Sequence, residues 1–159
     1  MHARVTEFAD VAAERYGLTI DPIEFPEKGT PTADDAAAAV DCDVGAIVKS
    51  LVFDVNGDLV LCLTSGAEQV DESALAEWAD VTVDAVSMAS PEGVREATGW
   101  AIGGVPPICH DTELPTLFDP TLMEFDEVWA AAGTPTSMWS IDPERLREVT
   151  GGEVVEFTA

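Results

Sequence analysis

Apolar residues recur at helical spacing at the start of the chain. Val5, Phe8, Ala9, Ala12 and Tyr16 share one helix face, and Gly17 stands where such a helix would stop. Residues 18–25 read as extended and lead into Pro26-Glu27-Lys28-Gly29-Thr30-Pro31, a loop by composition. Thr32, with Asp35 three residues on, has the form of a helix N-cap ahead of the alanine-rich run 36–40. A hairpin comes next. Residues 46–55 and 58–64 are apolar, strand-like runs separated by Asn56-Gly57, the two-residue turn favoured because both positions take positive φ. That turn fixes a register in which Val55 faces Asp58, Phe53 faces Val60, Leu51 faces Cys62 and Lys49 faces Thr64.

Further along, Asp71 can cap a helix through Leu75 and Trp78, and Ser90-Pro91 opens another that Gly99 ends. Asp119-Pro120 and Asp142-Pro143 repeat this start signal, the second for a helix running to about Thr150 before Gly151. The remaining strands are predicted at 81–83, 116–118, 128–131, 138–141 and 153–157. Helices and strands interleave irregularly around one firm hairpin. The expected fold is therefore mixed α/β of the α+β kind: a curved, barrel-like mixed sheet flanked by helices. With 159 residues, 47% of them hydrophobic, the chain suits one sizeable core, so residues 1–159 are expected to form a single domain.

Composition changes the picture chiefly through charge. Seven basic against 31 acidic residues leave a formal net charge of -24, and only Lys28 and Lys49 are lysines. Such self-repulsion is best tolerated where molar salt shortens the Debye length to about 3 Å, which favours a halophilic cytosol over an ordinary acidic protein. The acids are scattered among a normal fraction of apolar residues, so disorder is a poor explanation. Apolar runs such as 59–63 fall far short of the roughly 20 residues a membrane helix needs, and the first residues carry no apolar signal core. A cytoplasmic protein with no membrane or DNA partner is expected. Cys42, Cys62 and Cys109 are odd in number, with no CxxC pair, and read as reduced, mostly buried thiols.

Two features could carry chemistry. Side chains alternate along a strand, so Lys49 points with Ile47, Leu51, Phe53 and Val55, the oily face. A lysine there either snorkels from the strand end or lines a pocket, where its ammonium suits a phosphate or hydroxyl oxygen. Its retention in a chain nearly stripped of lysine favours the second reading. The other feature is the string from Thr98 to Pro107, in which Gly103 and Gly104 allow close approach of a ligand to the backbone while Pro106 and Pro107 stiffen the chain beyond them. Backbone N–H groups of such a turn can hold a carbonyl oxygen or a developing oxyanion; the plain alternative is a tight structural turn. No phosphate-binding loop or dinucleotide fingerprint is present. Cys109-His110 invites a thiol-hydrolase reading, although a buried cysteine beside a loop histidine is the commoner arrangement. Two histidines in all argue against a transition-metal site. Trp100, just before the glycines, could wall a pocket.

Thr32-Ala33 before an alanine-rich helix, the lysine strand 47–53, Ser65-Gly66, Thr98-Gly99, Gly103-Gly104-Val105-Pro106-Pro107, Asp119 and Ala132-Gly133 occur in an order and spacing that resembles the YbaK/prolyl-tRNA-synthetase-associated editing family. Members hydrolyse the ester of misacylated tRNA, in trans or as a domain inserted in prolyl-tRNA synthetase. The resemblance implies a free-standing aminoacyl-tRNA deacylase without metal or organic cofactor. Lys49 would anchor the tRNA 3′ end. The backbone of Gly103, Gly104, Val105, Pro106 and Pro107 would hold the aminoacyl group, with water as nucleophile. By position, Thr32, Ser65, Gly66, Thr98, Asp119 and Gly133 would line the same pocket. Residues 133–138 depart from members that place an acid shortly after their glycines, so the resemblance assigns no catalytic acid there.

A charge of -24 excludes a broad tRNA-binding face, because few cations can neutralise only few phosphates. The expected partner is the aminoacylated 3′ end alone, bound weakly through Lys49 and with Lys28 as a second cation, together with an aminoacyl-tRNA synthetase as source of the substrate. The competing reading is a non-catalytic module of the same fold that binds an amino acid, a nucleotide or a protein. The discriminating geometry is whether Lys49 and the Gly103–Pro107 turn open on one cleft.

Overall fold

The computed structural model describes residues 2–25 and 32–158. The expected loop 26–31, with Lys28, lies outside the described residues. Helix α1 (Ala3–Tyr16) buries Val5, Phe8 and Ala12 completely, and Gly17 closes it in the left-handed conformation at φ 67°. Thr32 caps α2 (Ala33–Val40), its hydroxyl accepting from the Asp35 amide at 3.1 Å and donating to the Asp35 carboxylate at 2.8 Å.

The hairpin pairs β2 (Val48–Val55) with β3 (Asp58–Ser65) in the register set by the Asn-Gly turn, from Val55 opposite Asp58 to Lys49 opposite Thr64. Asn56 at φ 54° and Gly57 at φ 91° supply the positive φ values. Three more helices begin where capping side chains precede them. They are α3 (Glu72–Ala79) after Asp71, α4 (Pro91–Thr98) after Ser90 and α5 (Pro143–Thr150) after Asp142. The start at Asp119-Pro120 yields less: its carboxylate caps Thr121, but only a 3-10 segment, Pro120–Glu124, comes after it.

The other strands are β1 (Ile23–Glu24), β4 (Val86–Met88), β5 (Thr116–Phe118), β6 (Val128–Ala131), β7 (Ser137–Ile141) and β8 (Glu153–Val154). They form a five-stranded mixed sheet, β4-β2-β3-β5-β8, and a three-stranded antiparallel sheet, β1-β7-β6. An isolated bridge, Ile47 to Trp129, links them. The architecture is mixed α/β as expected, but the sheets stay open and do not close into the expected barrel. The strand expected at 81–83 is displaced. Val81 caps α3 through the Ala76 carbonyl, Val83–Ala85 forms a 3-10 turn, and residues 86–88 are the ones that reach the edge of β2. Strand propensity cannot choose between neighbouring valines when an edge partner decides. The extended stretches 18–25 and 153–157 likewise shrink to two paired residues each.

Alternation along the hairpin explains the unbroken apolar runs. Val48, Val52, Leu61 and Leu63 enter the main core with Phe8, Trp100 and Trp139, whereas Phe53, Val55, Val60 and Cys62 face a second core under α3. A strand covered on both faces has no polar side to show.

Candidate functional site

A cleft of about 300 Å³ opens where the two sheets meet. Its walls come from α2 (Ala33, Ala36), residues 47–52 around the start of β2, Met88 and Ala89 at the end of β4, Val94 of α4, the segment bearing Ile102, Gly103 and Val105, and the turn between β6 and β7. β4 pairs with β2 at Phe53, Asp54 and Val55, and the Ala89 amide donates to the Val52 carbonyl, so the edge of β2 before Val52 is left to the cleft, and residues from both faces of the strand reach it. Lys49 and Gly103 therefore border one space although they are far apart in sequence.

Lys49 is half-buried, and its Nζ donates to the Glu68 carbonyl at 2.6 Å. Burial pulls its pKa below the ordinary lysine value of 10.5, against the opposing pull of Asp119 and Glu68. An ammonium carries three donors, so a ligand oxygen can share it with Glu68. Beside Lys49, the Ser50 hydroxyl is buried without a hydrogen-bond partner. Across the cleft, Thr134 and Ser137 join hydroxyls at 2.7 Å. Otherwise the lining is mainly aliphatic.

The remaining sequence-selected residues fall into distinct places. Thr32 and Val105 border the cleft. Gly104 sits behind it: a Cβ there would lie 2.7 Å from the Thr134 Cα, so the absent side chain permits two backbones to pack. Gly133, at φ 104°, likewise leaves room for Trp100 and for the Arg4 carbonyl. Pro106 gives its carbonyl to His110 Nε2 at 2.7 Å, and Pro107 faces a second, more polar cavity on the far side of the segment. Ser65 and Gly66 fix the hairpin end: Ser65 Oγ donates to the Gly45 carbonyl and the Gly66 amide to the Ile47 carbonyl. Asp119 is fully buried and accepts from the amides of Ser65 and Thr121, so it positions the wall that carries Lys49's neighbour Thr64. The Thr98 hydroxyl donates to the Val94 carbonyl at 2.7 Å and accepts from the Trp100 amide at 3.1 Å at the end of α4.

Cys109 and His110 do not present a nucleophile and base. Burial pushes the Cys109 thiol up to about 12, which keeps it protonated, and its Sγ lies against the Phe8 carbonyl. Burial lowers the His110 pKa, and Nε2 must carry the proton it gives to Pro106. Trp100 is buried in the core beneath the segment instead of walling the cleft. Among the described residues no group of three His, Cys, Asp or Glu side chains converges to hold a metal ion. Sequence reasoning missed Ser50, Ile102, Thr134 and Ser137. Ser50 was hidden by alternation, which puts it on the opposite face from Lys49; only the free strand edge brings both to one space.

Several known proteins are similar to this chain in sequence and fold. A solved structure described as a candidate trans-editing enzyme for prolyl tRNA synthetase superposes with a TM-score of 0.92 at 36% identity, covering 100% of this chain and 99% of that one. The multifunctional Ser/Thr-tRNA deacylase ProXp-y of Escherichia coli (strain K12) is 36% identical over 95 residues, 57% of this chain and 56% of that protein. A proline–tRNA ligase of Lysinibacillus sphaericus is 26% identical over 149 residues, 91% of this chain but only 26% of the ligase. The chain thus spans about half of the deacylase and about a quarter of the ligase. The family model for the aminoacyl-tRNA editing domain matches residues 27–149, and the chain belongs to that family.

Proposed function

We propose that this protein hydrolyses the ester of misacylated tRNA in trans. Water adds to the ester carbonyl carbon, the bond to the ribose oxygen breaks, and that oxygen takes up a proton, freeing the amino acid and the tRNA. Lys49 grips an oxygen of the terminal adenosine. The backbone at Gly103 and Val105 faces the acyl group, where its N–H groups can meet charge developing on the carbonyl oxygen. The aliphatic lining excludes bulk water from the ester. An aminoacyl-tRNA synthetase that mischarges its tRNA supplies the substrate, and the setting we infer is a salt-rich cytosol.

The observation that carries this reading is the shared cleft: in a chain of the editing family, Lys49, Gly103 and Val105 border the same space. The test is a panel of mischarged tRNAs incubated in molar salt. Wild type should release the amino acid from at least one of them, and Lys49→Ala should lose roughly ten-fold or more in kcat/KM, as expected for removal of a charge-assisted hydrogen bond. Release no faster than the uncatalysed blank on every tRNA would leave the non-catalytic binding module as the better reading.

A further inference from the structure

The segment that faces the acyl group is held from behind by a helix outside the matched family region. Residues 27–149 carry the editing-domain match, whereas α1 ends at Tyr16. From one end of α1, Arg4 donates to the Gly99 carbonyl and lays its guanidinium 3.9 Å from the centre of the Trp100 ring. From the other end, Arg15 donates to the His110 carbonyl at 2.8 Å. Between them Phe8 meets Trp100 edge-on with ring centres 6.2 Å apart, and the Trp100 indole N–H closes the segment on itself through the Cys109 carbonyl at 3.0 Å. Both ends of segment 99–110 are thus tied to one rigid helix.

The partners are main-chain groups. Although the chain carries 31 carboxylates, Arg15 gives its hydrogen bond to a main-chain carbonyl, and Arg4 does so beside its ion pair with Glu7. A guanidinium on a carbonyl makes a charge-assisted bond that an ammonium cannot copy with the same planarity. The contacts also run on to the cleft. Trp100 and the Arg4 carbonyl fill the space a Gly133 side chain would need, and the Gly133–Thr134 backbone does the same at Gly104, next to cleft-lining Gly103 and Val105.

We propose that Arg4 and Arg15 are positioning residues and α1 a brace, which fix the Gly103–Val105 backbone in the geometry that receives the acyl carbonyl. The kinetic part of this rests on the deacylase reading; the mechanical part does not. The experiment therefore has two readouts on Arg4→Met, Arg15→Met and the conservative Arg4→Lys and Arg15→Lys. Hydrogen exchange followed by mass spectrometry should show amides of residues 101–105 and 108–110 exchanging roughly ten-fold faster in each methionine variant, with the β2–β3 hairpin unchanged. Deacylation should show kcat falling several-fold at nearly constant KM, with the lysine variants recovering part of the loss, because the misplaced groups act in the transition state. Unchanged exchange in segment 99–110, or faster exchange spread evenly over the hairpin and α5, would overturn the brace. If a methionine variant fails to fold, its lysine counterpart is read against wild type by the same criteria. If wild type releases no amino acid from any tRNA, the deacylase reading fails while exchange still decides the brace.

Discussion

Lys49 answers to two opposed demands, and pH separates them. Burial disfavours its charged form, so its pKa lies below 10.5, while its proposed task needs the charge. Between the depressed value and 10.5 the unfolded chain binds more protons than the folded one, so Lys49's contribution to stability rises with pH there. Enzyme-dependent deacylation, corrected for the alkaline blank, should fall over the same window as the ammonium is lost. Melting curves and rates measured at matched pH should therefore move in opposite directions, and Lys49→Met should abolish both trends. Parallel loss of rate and stability would show the lysine to be structural. Ser50 makes the complementary case. Its hydroxyl is already buried and unpartnered, so removing it costs no hydrogen bond and relieves a desolvated polar group. Ser50→Ala should melt no lower than wild type, while KM for mischarged tRNA rises if the hydroxyl meets substrate; a clear drop in melting temperature would mean that it has a partner in solution.

At the scale of elements, the site depends on backbones that approach where glycine stands. A methyl at Gly104 would sit 2.7 Å from the Thr134 Cα, a contact that can be relieved only by moving one segment. Gly104→Ala should cost about 1–3 kcal/mol of stability, the usual scale of overpacking, and should lower deacylation more than the stability loss alone explains. Gly57→Ala offers the contrast, since nothing lies within 4 Å of its Cβ position and only the positive φ is penalised. It should destabilise the hairpin mildly and leave KM alone. These glycines also mark the boundary of what sequence makes legible. Asn56-Gly57 determined the register because a two-residue turn admits one alignment, and Thr32, Asp71, Ser90 and Asp142 announced helices because a capping side chain acts within three residues. Choices that depend on distant partners were not local. Which valines would pair with β2, whether the sheets would close, and that Gly104 meets Thr134 are decided by segments far away in sequence. For the same reason Lys49 and Gly103 could be named from their strings, whereas Ser50, Thr134 and Ser137 needed the assembled cleft.

Over the whole molecule the dominant quantity is the net charge of -24, spread over a folded surface with few ion pairs to offset it; among the described residues Arg4–Glu7 and Arg145–Glu148 come close enough to form salt bridges. Repulsion of this kind weakens as the Debye length drops from about 10 Å at 0.1 M salt to about 3 Å at 1 M, so the melting temperature should climb steadily with KCl over that range. The same field constrains how a tRNA can be held. A protein that neutralised many phosphates would lose affinity steeply with salt, with a slope of roughly -0.7 per phosphate for single-stranded contacts. Lys49 is the one lysine bordering the cleft among the described residues, so one or two phosphates at the 3′ end set the limit, and screening of the repulsion between two polyanions works in the opposite sense. Affinity for tRNA should therefore be weak and nearly flat in salt, or should strengthen as salt rises. A titration between roughly 0.1 and 2 M KCl with a deacylation-resistant aminoacyl-tRNA measures it directly. A log–log slope steeper than about -3 would require a cationic face of several phosphate contacts, and recognition confined to the 3′ end would have to be abandoned.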